Sequence, residues 1–206
     1  MRDETIGVFL ELLAARVPAP GGGASAAVNA AQAAALLGMV ARYSDGAKYE
    51  QHADLIASVI VNTDELRERA LGLVVADAAA FTSVTDAYQL PKDTDELKAV
   101  RSAAIAEALT AAAEPPAGVV DTASRLIELA EALLPVGNPN VITDVAAAAE
   151  AVRAAATTAR VNIEVNLSGI RDPSVAAELT RVAALVDGIA VRAEQVTAAV
   201  RRKITQ

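Results

Sequence analysis

One stretch of the sequence, from Tyr49 to Leu90, contains no proline and a single glycine, Gly72. Proline breaks a helix because it lacks a backbone N–H and clashes with the preceding turn. The stretch shows no alternation of apolar and polar residues, so it predicts one long helix rather than strands. A long helix is stabilised in water mainly by packing. The stretch therefore limits the fold to long helices packed against one another.

The composition supports this interpretation. Apolar residues make up 53 % of the 206 residues, yet aromatic residues make up only 2 %. Alanine, the best helix former, is by far the most frequent apolar residue, and the aromatic residues that favour strands are few. We therefore expect a single domain over residues 1–206, an all-α antiparallel up-and-down bundle with long helices. Besides Tyr49–Leu90, helices are predicted at Thr5–Arg16, Ala24–Tyr43, Thr94–Ala113, from Pro115-Pro116 (as a kink or interruption) to Leu134, Val141–Gly169 and Ser174–Lys203.

Charge and residue usage exclude several functional classes. The chain has no cysteine and one histidine, His52, so it can build neither a thiol nucleophile nor a multi-histidine metal site. A net charge of −8 with few aromatic residues argues against nucleic-acid binding. We find no targeting signal, and the most apolar stretch, Ala24–Ala41, contains Asn29 and Gln32. The sequence predicts a cytoplasmic protein that binds no metal, membrane or nucleic acid.

A carboxylate interrupts the apolar seam of the long helix. The seam residues follow one another at steps of three and four, as one face of a helix requires. Asp77 takes a seam position between Leu73 and Phe81. A carboxylate there is either desolvated, with a raised pKa, or paired with a partner on another helix. It is accordingly either a structural ion pair that sets helix register or a general acid or base in a pocket between helices.

Polar residues also mark both ends of one face of the predicted helix Val141–Gly169. Asp144 lies near its start, and Asn162 and Asn166 lie near its end, with alanines between them. Asp144 and Asn162 would lie about 27 Å apart along the helix, at 1.5 Å per residue. They either belong to different sites, or a second subunit completes one of them.

Two loop-to-helix entries carry small or amide side chains. Gly21-Gly22-Gly23-Ala24-Ser25 precedes a helix, where free backbone N–H groups favour an anion or a flat polar ligand and Ser25 can cap the helix. Gly137-Asn138-Pro139-Asn140 precedes another helix, which Asn140 or Thr143 could cap. Both segments also fit plain turns. A dinucleotide fold is rejected, because prolines stand where the strand of that fold is required.

Several segments together resemble the cyclodeaminase/cyclohydrolase family, which comprises the C-terminal domain of formiminotransferase-cyclodeaminase and stand-alone methenyltetrahydrofolate cyclohydrolases. The matching stretches occur in the family's order and extend from about Phe9 to Asp172. They are Pro18–Ala27, Gly46–Tyr49, Asp77–Phe81, Leu90-Pro91-Lys92 with Arg101, Glu114-Pro115-Pro116, Gly137–Asp144 and Asn162–Leu167.

The resemblance implies an all-helical homodimer that binds a tetrahydrofolate derivative as substrate and needs no metal. In the cyclodeaminase reaction, N10 of 5-formiminotetrahydrofolate attacks the formimino carbon, ammonia leaves and 5,10-methenyltetrahydrofolate forms. In the alternative cyclohydrolase reaction, water attacks the methenyl carbon and 10-formyltetrahydrofolate forms. The cyclodeaminase reaction is the first expectation. A second alternative is a non-catalytic folate-binding or assembly module.

The residues singled out above coincide with the matching motifs. The resemblance implies that Asp77 is the general base or acid, that Asp144 is a second carboxylate, and that Lys48 binds the glutamate tail or stabilises developing charge. Backbone near the ligand would come from Gly22, Gly23 and Ser25. The amides expected to meet the pterin ring or a second subunit are Asn138, Asn140, Asn162 and Asn166.

Overall fold

The computed structural model describes residues 4–205, which form α-helices with no strand among them. The expected all-α bundle is confirmed. The helices are α1 Ile6–Ala14, α2 Gly22–Arg42, α3 Ala53–Gln89, α4 Asp95–Ala112, α5 Glu114–Leu133, α6 Thr143–Leu167 and α7 Pro173–Ile204, with 3-10 turns at Ala47–His52 and Pro139–Val141.

Several helix boundaries differ from the sequence prediction by one or two residues; α2, for example, begins at Gly22 rather than at Ala24. Two further differences have a clear physical cause. The long helix begins at Ala53 rather than at Tyr49, because a 3-10 turn follows Gly46, whose positive φ of 80° favours glycine. The second difference concerns Pro115 and Pro116, which begin α5 instead of kinking a continuing helix. Proline is tolerated in the first turn, since the backbone N–H groups there have no partner inside the helix.

α2 is the central helix and packs against α3, α5 and α6. Apart from Leu37 and Val40, its buried residues are all alanine or glycine. Such small faces let helix axes approach at the short end of the usual range of about 8–10 Å. α7 packs on the outer side of α5 and α6, whereas α4 packs mainly against α3.

The antiparallel arrangement gives the bundle two distinct ends. At the first end, Gly22 at the start of α2 lies beside Asn162 near the end of α6. At the opposite end, the Nδ2 of Asn138 donates a hydrogen bond of 2.6 Å to the carbonyl of Tyr43, directly after α2. Because α2 has 21 residues, these ends lie about 30 Å apart.

Two helical segments are long and apolar enough to cross a membrane by length and composition alone, α2 and the segment Ala47–Gln89. Within the α2 segment, 61 % of the most apolar window is buried inside the bundle. The apolar character of α2 therefore follows from its position in the core.

Candidate functional site

The carboxylate of Asp77 lies against the first turn of α2. A Cβ atom added to Gly23 would lie 1.9 Å from Asp77 Oδ1, which is closer than the Cβ atoms of real residues approach their neighbours. The backbone N–H of Ala24 donates to the same carboxylate. Any larger residue at position 23 would therefore have to displace the carboxylate of Asp77 from this position. The place where a helix N-terminus favours an anion is taken by a side chain of the protein itself.

Burial raises the pKa of Asp77 above its ordinary value of 3.8, and the hydrogen bond from Ala24 opposes the rise only in part. The sequence had left open a desolvated carboxylate or an ion pair, and the structure shows the desolvated one. Within residues 4–205, Asp77 makes no salt bridge. Such a group is poised to gain and lose a proton closer to neutral pH than an exposed aspartate.

A cleft of about 320 Å³ opens beside Asp77, between the second half of α3, the end of α4 and the end of α6. Phe81 and Tyr88 line it and are 49 % and 52 % exposed. The chain has only five aromatic residues, three Tyr and two Phe, so two half-exposed ones in a single cleft are a strong sign of a flat ligand. Phe81 belongs to the apolar seam predicted from the sequence, but neither residue was predicted as a binding residue. The rarity of aromatic residues was the signal that could have identified them.

Asn162 and Asn166 line the same cleft, as the sequence had suggested for a shared face of α6. The Nδ2 of Asn162 donates to the carbonyl of Thr158, and the Nδ2 of Asn166 donates to the carbonyls of Asn162 and Ala112. These bonds hold both amide planes in place. Since the amide N–H groups are engaged with backbone, the side-chain oxygens remain as acceptors for a ligand.

Gly22, Gly23, Asp77, Asn162 and Asn166 thus meet at one end of the bundle. Ser25 follows on the same helix but lines a different cleft, on the side of α2 that faces α1. It does not cap α2, whose cap residue is Gly21 with no side-chain hydrogen bond.

The remaining candidates lie at the opposite end of the bundle. Asn138 caps the 3-10 turn by accepting from the N–H of Asn140, and its backbone N–H donates to Ser44. Lys48 lies in the 3-10 turn after α2, with its Nζ 5.5 Å from the centre of the Tyr49 ring. Asp144 lies in the first turn of α6. The N-cap residue of this helix is Ile142, so neither Asn140 nor Thr143 caps it as expected. Within one chain, these residues are separated from Asp77 by nearly the length of α2.

Among residues 4–205, no group of three or more acidic or histidine side chains is placed to hold a metal ion. The chemistry that the cleft itself can supply is proton transfer by Asp77, hydrogen bonding by two amides and stacking by two aromatic rings. A half-buried carboxylate beside an aromatic cleft in a helical bundle is suited to acid–base chemistry on a flat, polar organic molecule.

The sequence model of the family described as formiminotransferase-cyclodeaminase matches residues 5–184, and the chain belongs to that family. A methenyltetrahydrofolate cyclohydrolase of Methylorubrum extorquens is 40 % identical over 178 residues, which cover 85 % of each chain. The formimidoyltransferase-cyclodeaminase of Rattus norvegicus is 33 % identical over 82 % of this chain, but the match spans only 32 % of the rat protein.

A solved structure, that of a formiminotetrahydrofolate cyclodeaminase from Thermotoga maritima, superposes on 96 % of this chain and 98 % of its own with a TM-score of 0.84. The two sequences are 26 % identical. The relatives are enzymes named for reactions of tetrahydrofolate derivatives, which confirms that the protein is an enzyme of folate one-carbon chemistry.

The contact between Asp77 and Gly23 predicts the effect of a single methyl group. We expect Gly23→Ala to destabilise the protein by about 1–3 kcal/mol, because the new methyl would overlap the carboxylate and force it or the helix to move. Removing the carboxylate at the same time, in Gly23→Ala/Asp77→Ala, should recover part of that loss. Urea unfolding measures both effects.

Gly72→Ala is the matched control, since it lies on α3 close to Asp77 but a Cβ there would meet nothing within 4 Å. In a helix interior, that change should be neutral or stabilise by up to about 1 kcal/mol. Equal stability of Gly23→Ala and the natural protein would contradict the close contact.

Proposed function

We propose that the protein acts as a formimidoyltetrahydrofolate cyclodeaminase, which converts 5-formiminotetrahydrofolate to 5,10-methenyltetrahydrofolate and ammonia. The observation that carries the proposal is the half-buried Asp77, whose pKa is raised, at the base of an aromatic cleft. The similarity to the Thermotoga maritima structure over almost the whole chain supports the same reaction.

Asp77 would carry the proton that this reaction moves. N10 of the substrate forms a bond to the carbon of the protonated formimino group, whose C=N double bond becomes a single bond to an amino group, and N10 loses its proton to the carboxylate of Asp77. The protonated carboxyl then donates to the amino group on the same carbon, the C–N bond breaks and ammonia leaves. A carboxyl whose pKa lies closer to the working pH performs both transfers better than an ordinary aspartate.

The other residues of the cleft fit a folate. The pterin and p-aminobenzoyl rings are flat, and Phe81 and Tyr88 offer two aromatic faces against which such rings can stack. The pterin edge carries N–H donors, which match the side-chain oxygens of Asn162 and Asn166. A one-carbon unit bound beside Asp77 would lie next to the first turn of α2.

A second candidate is 5,10-methenyltetrahydrofolate cyclohydrolase, favoured by the Methylorubrum extorquens relative of similar length. In that reaction, Asp77 would accept a proton from the water that attacks the methenyl carbon and return it to N5 as the C–N5 bond breaks. The remaining hydroxyl proton leaves to solvent as the formyl C=O forms. Both reactions pass through a tetrahedral carbon between two nitrogens, so one set of residues serves either.

The absorbance of the methenyl group distinguishes the two reactions. With purified protein, cyclodeaminase activity makes this absorbance appear from 5-formiminotetrahydrofolate and releases ammonia. Cyclohydrolase activity makes it disappear faster than the spontaneous hydrolysis in a protein-free control. Thermal stabilisation by 5-formyltetrahydrofolate without either turnover would instead favour a non-catalytic folate-binding module.

Replacing the proposed proton carrier should abolish most of the activity. We expect Asp77→Asn to lower kcat by about 10²–10⁴-fold, the usual contribution of a general acid or base. The amide has nearly the same shape and can still accept from Ala24, so substrate binding should change little. Asp86→Asn, an exposed position on the same helix, is the matched control and should keep full activity.

The raised pKa of Asp77 also fixes the direction of two pH effects. When Asp77 acts as a base, activity is lost as pH falls, and the midpoint of that loss should lie above the ordinary pKa of 3.8.

In the folded state a raised pKa favours the protonated form of Asp77, so the contribution of this form to stability is lost as pH rises through that pKa. Asp77→Asn should therefore be as stable as the natural protein at pH 7, or more stable. Near-natural turnover of this variant would contradict the assignment.

We also propose that the protein works as a homodimer that buries α1. This helix is apolar at most positions, yet none of its residues is buried, and Ile6 and Leu10 are 81 % and 54 % exposed. A helix this short is only marginally stable without packing. A second copy of the chain would cover both helices by symmetry.

Light scattering after size-exclusion chromatography tests the dimer. Ile6→Glu should shift the protein to the monomer, because it places a charge in the apolar contact, while the fold of each chain survives. Val191→Glu, on the exposed side of α7 at 57 % exposure, is the control and should remain dimeric. Dissociation by Val191→Glu alone would place the contact elsewhere and contradict a role of α1.

A further inference from the structure

A second cleft, of about 380 Å³, adjoins the Asp77 cleft on the side away from α2. Tyr88, Leu109 and Ser168 line both clefts, so the two share a wall. The second cleft also includes Ser102 of α4 and Arg171 of the segment between α6 and α7. Its lining is mainly polar, in contrast to the aromatic lining beside Asp77.

The guanidinium of Arg171 points across this second cleft. Its Nη2 donates to the hydroxyl of Ser102. Among the described residues it forms no ion pair, whereas Arg69, Arg160 and Arg192 each hold a carboxylate. The neighbouring Asp172 does not neutralise it, since that carboxylate accepts from Ser174 and Val175 as the cap of α7.

A second guanidinium without a carboxylate partner among residues 4–205 lies next to Ser102. Arg101 donates from Nε and Nη2 to the carbonyl of Tyr88, at 3.3 and 3.0 Å, and its Cζ lies 5.4 Å from the centre of the Tyr88 ring. These contacts fix the side chain and leave its Nη1 without a protein acceptor. Arg171 lines the second cleft, and Arg101 lies beside it on the shared Tyr88. In a chain with a net charge of −8, these two cations without carboxylate partners among residues 4–205 favour an anionic ligand group.

The distances suit a single extended ligand. Asp77 and Tyr88 are separated by eleven residues of α3, or about 16 Å. That span is comparable with an extended p-aminobenzoylglutamate, measured from N10 to the side-chain carboxylate and including the contacts at each end. The glutamate carries two carboxylates, which guanidinium groups bind in pairs of parallel hydrogen bonds.

We propose that Arg171, with Arg101 beside it, binds the glutamate carboxylates of the folate substrate, so that the two adjoining clefts hold opposite ends of one molecule. This inference rests on the proposed folate function. It also supplies a cation on the Asp77 side of the bundle, whereas Lys48 of the same chain lies at the other end.

Kinetics with and without the glutamate tests the assignment. For the tetrahydrofolate substrate that the natural protein converts, Arg171→Gln should raise KM about ten- to hundredfold, the effect of losing one charge-assisted contact, and leave kcat nearly unchanged. For the corresponding tetrahydropteroate, which lacks the glutamate, KM should not change. Arg181→Gln, an exposed arginine on α7 that pairs with Glu178, is the control and should affect neither substrate.

Thermal stabilisation by 5-formyltetrahydrofolate and by 5-formyltetrahydropteroate gives a second readout that needs no turnover. The natural protein should be stabilised more by the glutamate-bearing ligand, and Arg171→Gln should lose that difference, while Arg171→Lys keeps part of it. Equal effects on both ligands, or none, overturn the assignment of Arg171 whether or not the protein is active. Turnover of neither folate by the natural protein refutes the proposed reaction separately.

Discussion

The close approach of α2 to its three neighbours is the constraint on which the rest of the structure depends. Eight of its twelve buried residues are alanines, so the helix axes can come near one another at almost every turn. The position of the Asp77 carboxylate is a consequence of the same close approach of the helices. Only where α3 lies against the small first turn of α2 can a short carboxylate reach the N–H of Ala24 and the space beside Gly23.

The buried position of Asp77 lowers the stability of the fold at the residue that we propose as the proton carrier. Burying a carboxylate with one backbone hydrogen bond and no cation disfavours its charged form, which is the origin of the raised pKa. A leucine or alanine at position 77 would continue the apolar seam without this cost. On the proposed function, an aspartate is needed at this position to move a proton. Functional sites often contain residues that lower the stability of the fold.

The sequence was sufficient to predict the all-α bundle, because helix propensity, the spacing of apolar residues and the prolines all point to it. It also identified Asp77 and the two asparagines of α6, since polar residues stand out in a seam of alanines. It did not show that Phe81 and Tyr88 would face a cleft. The exposure of α3 beyond Asp77 depends on where α4 packs against it. No local sequence pattern specifies that packing. The same holds for Arg171, whose neighbour Ser102 is 69 residues away in the chain.

At the far end of the bundle, Asn138 has a structural role within the single chain. Asn138 uses its side chain and its backbone N–H to tie the loop before α6 to the end of α2, which makes it a structural residue in the single chain. A folate reaching from Asp77 to Arg171 would find a proton carrier, aromatic faces, amide acceptors and cations without leaving one end of the bundle. On the proposed function, a second copy of the chain would cover the apolar α1.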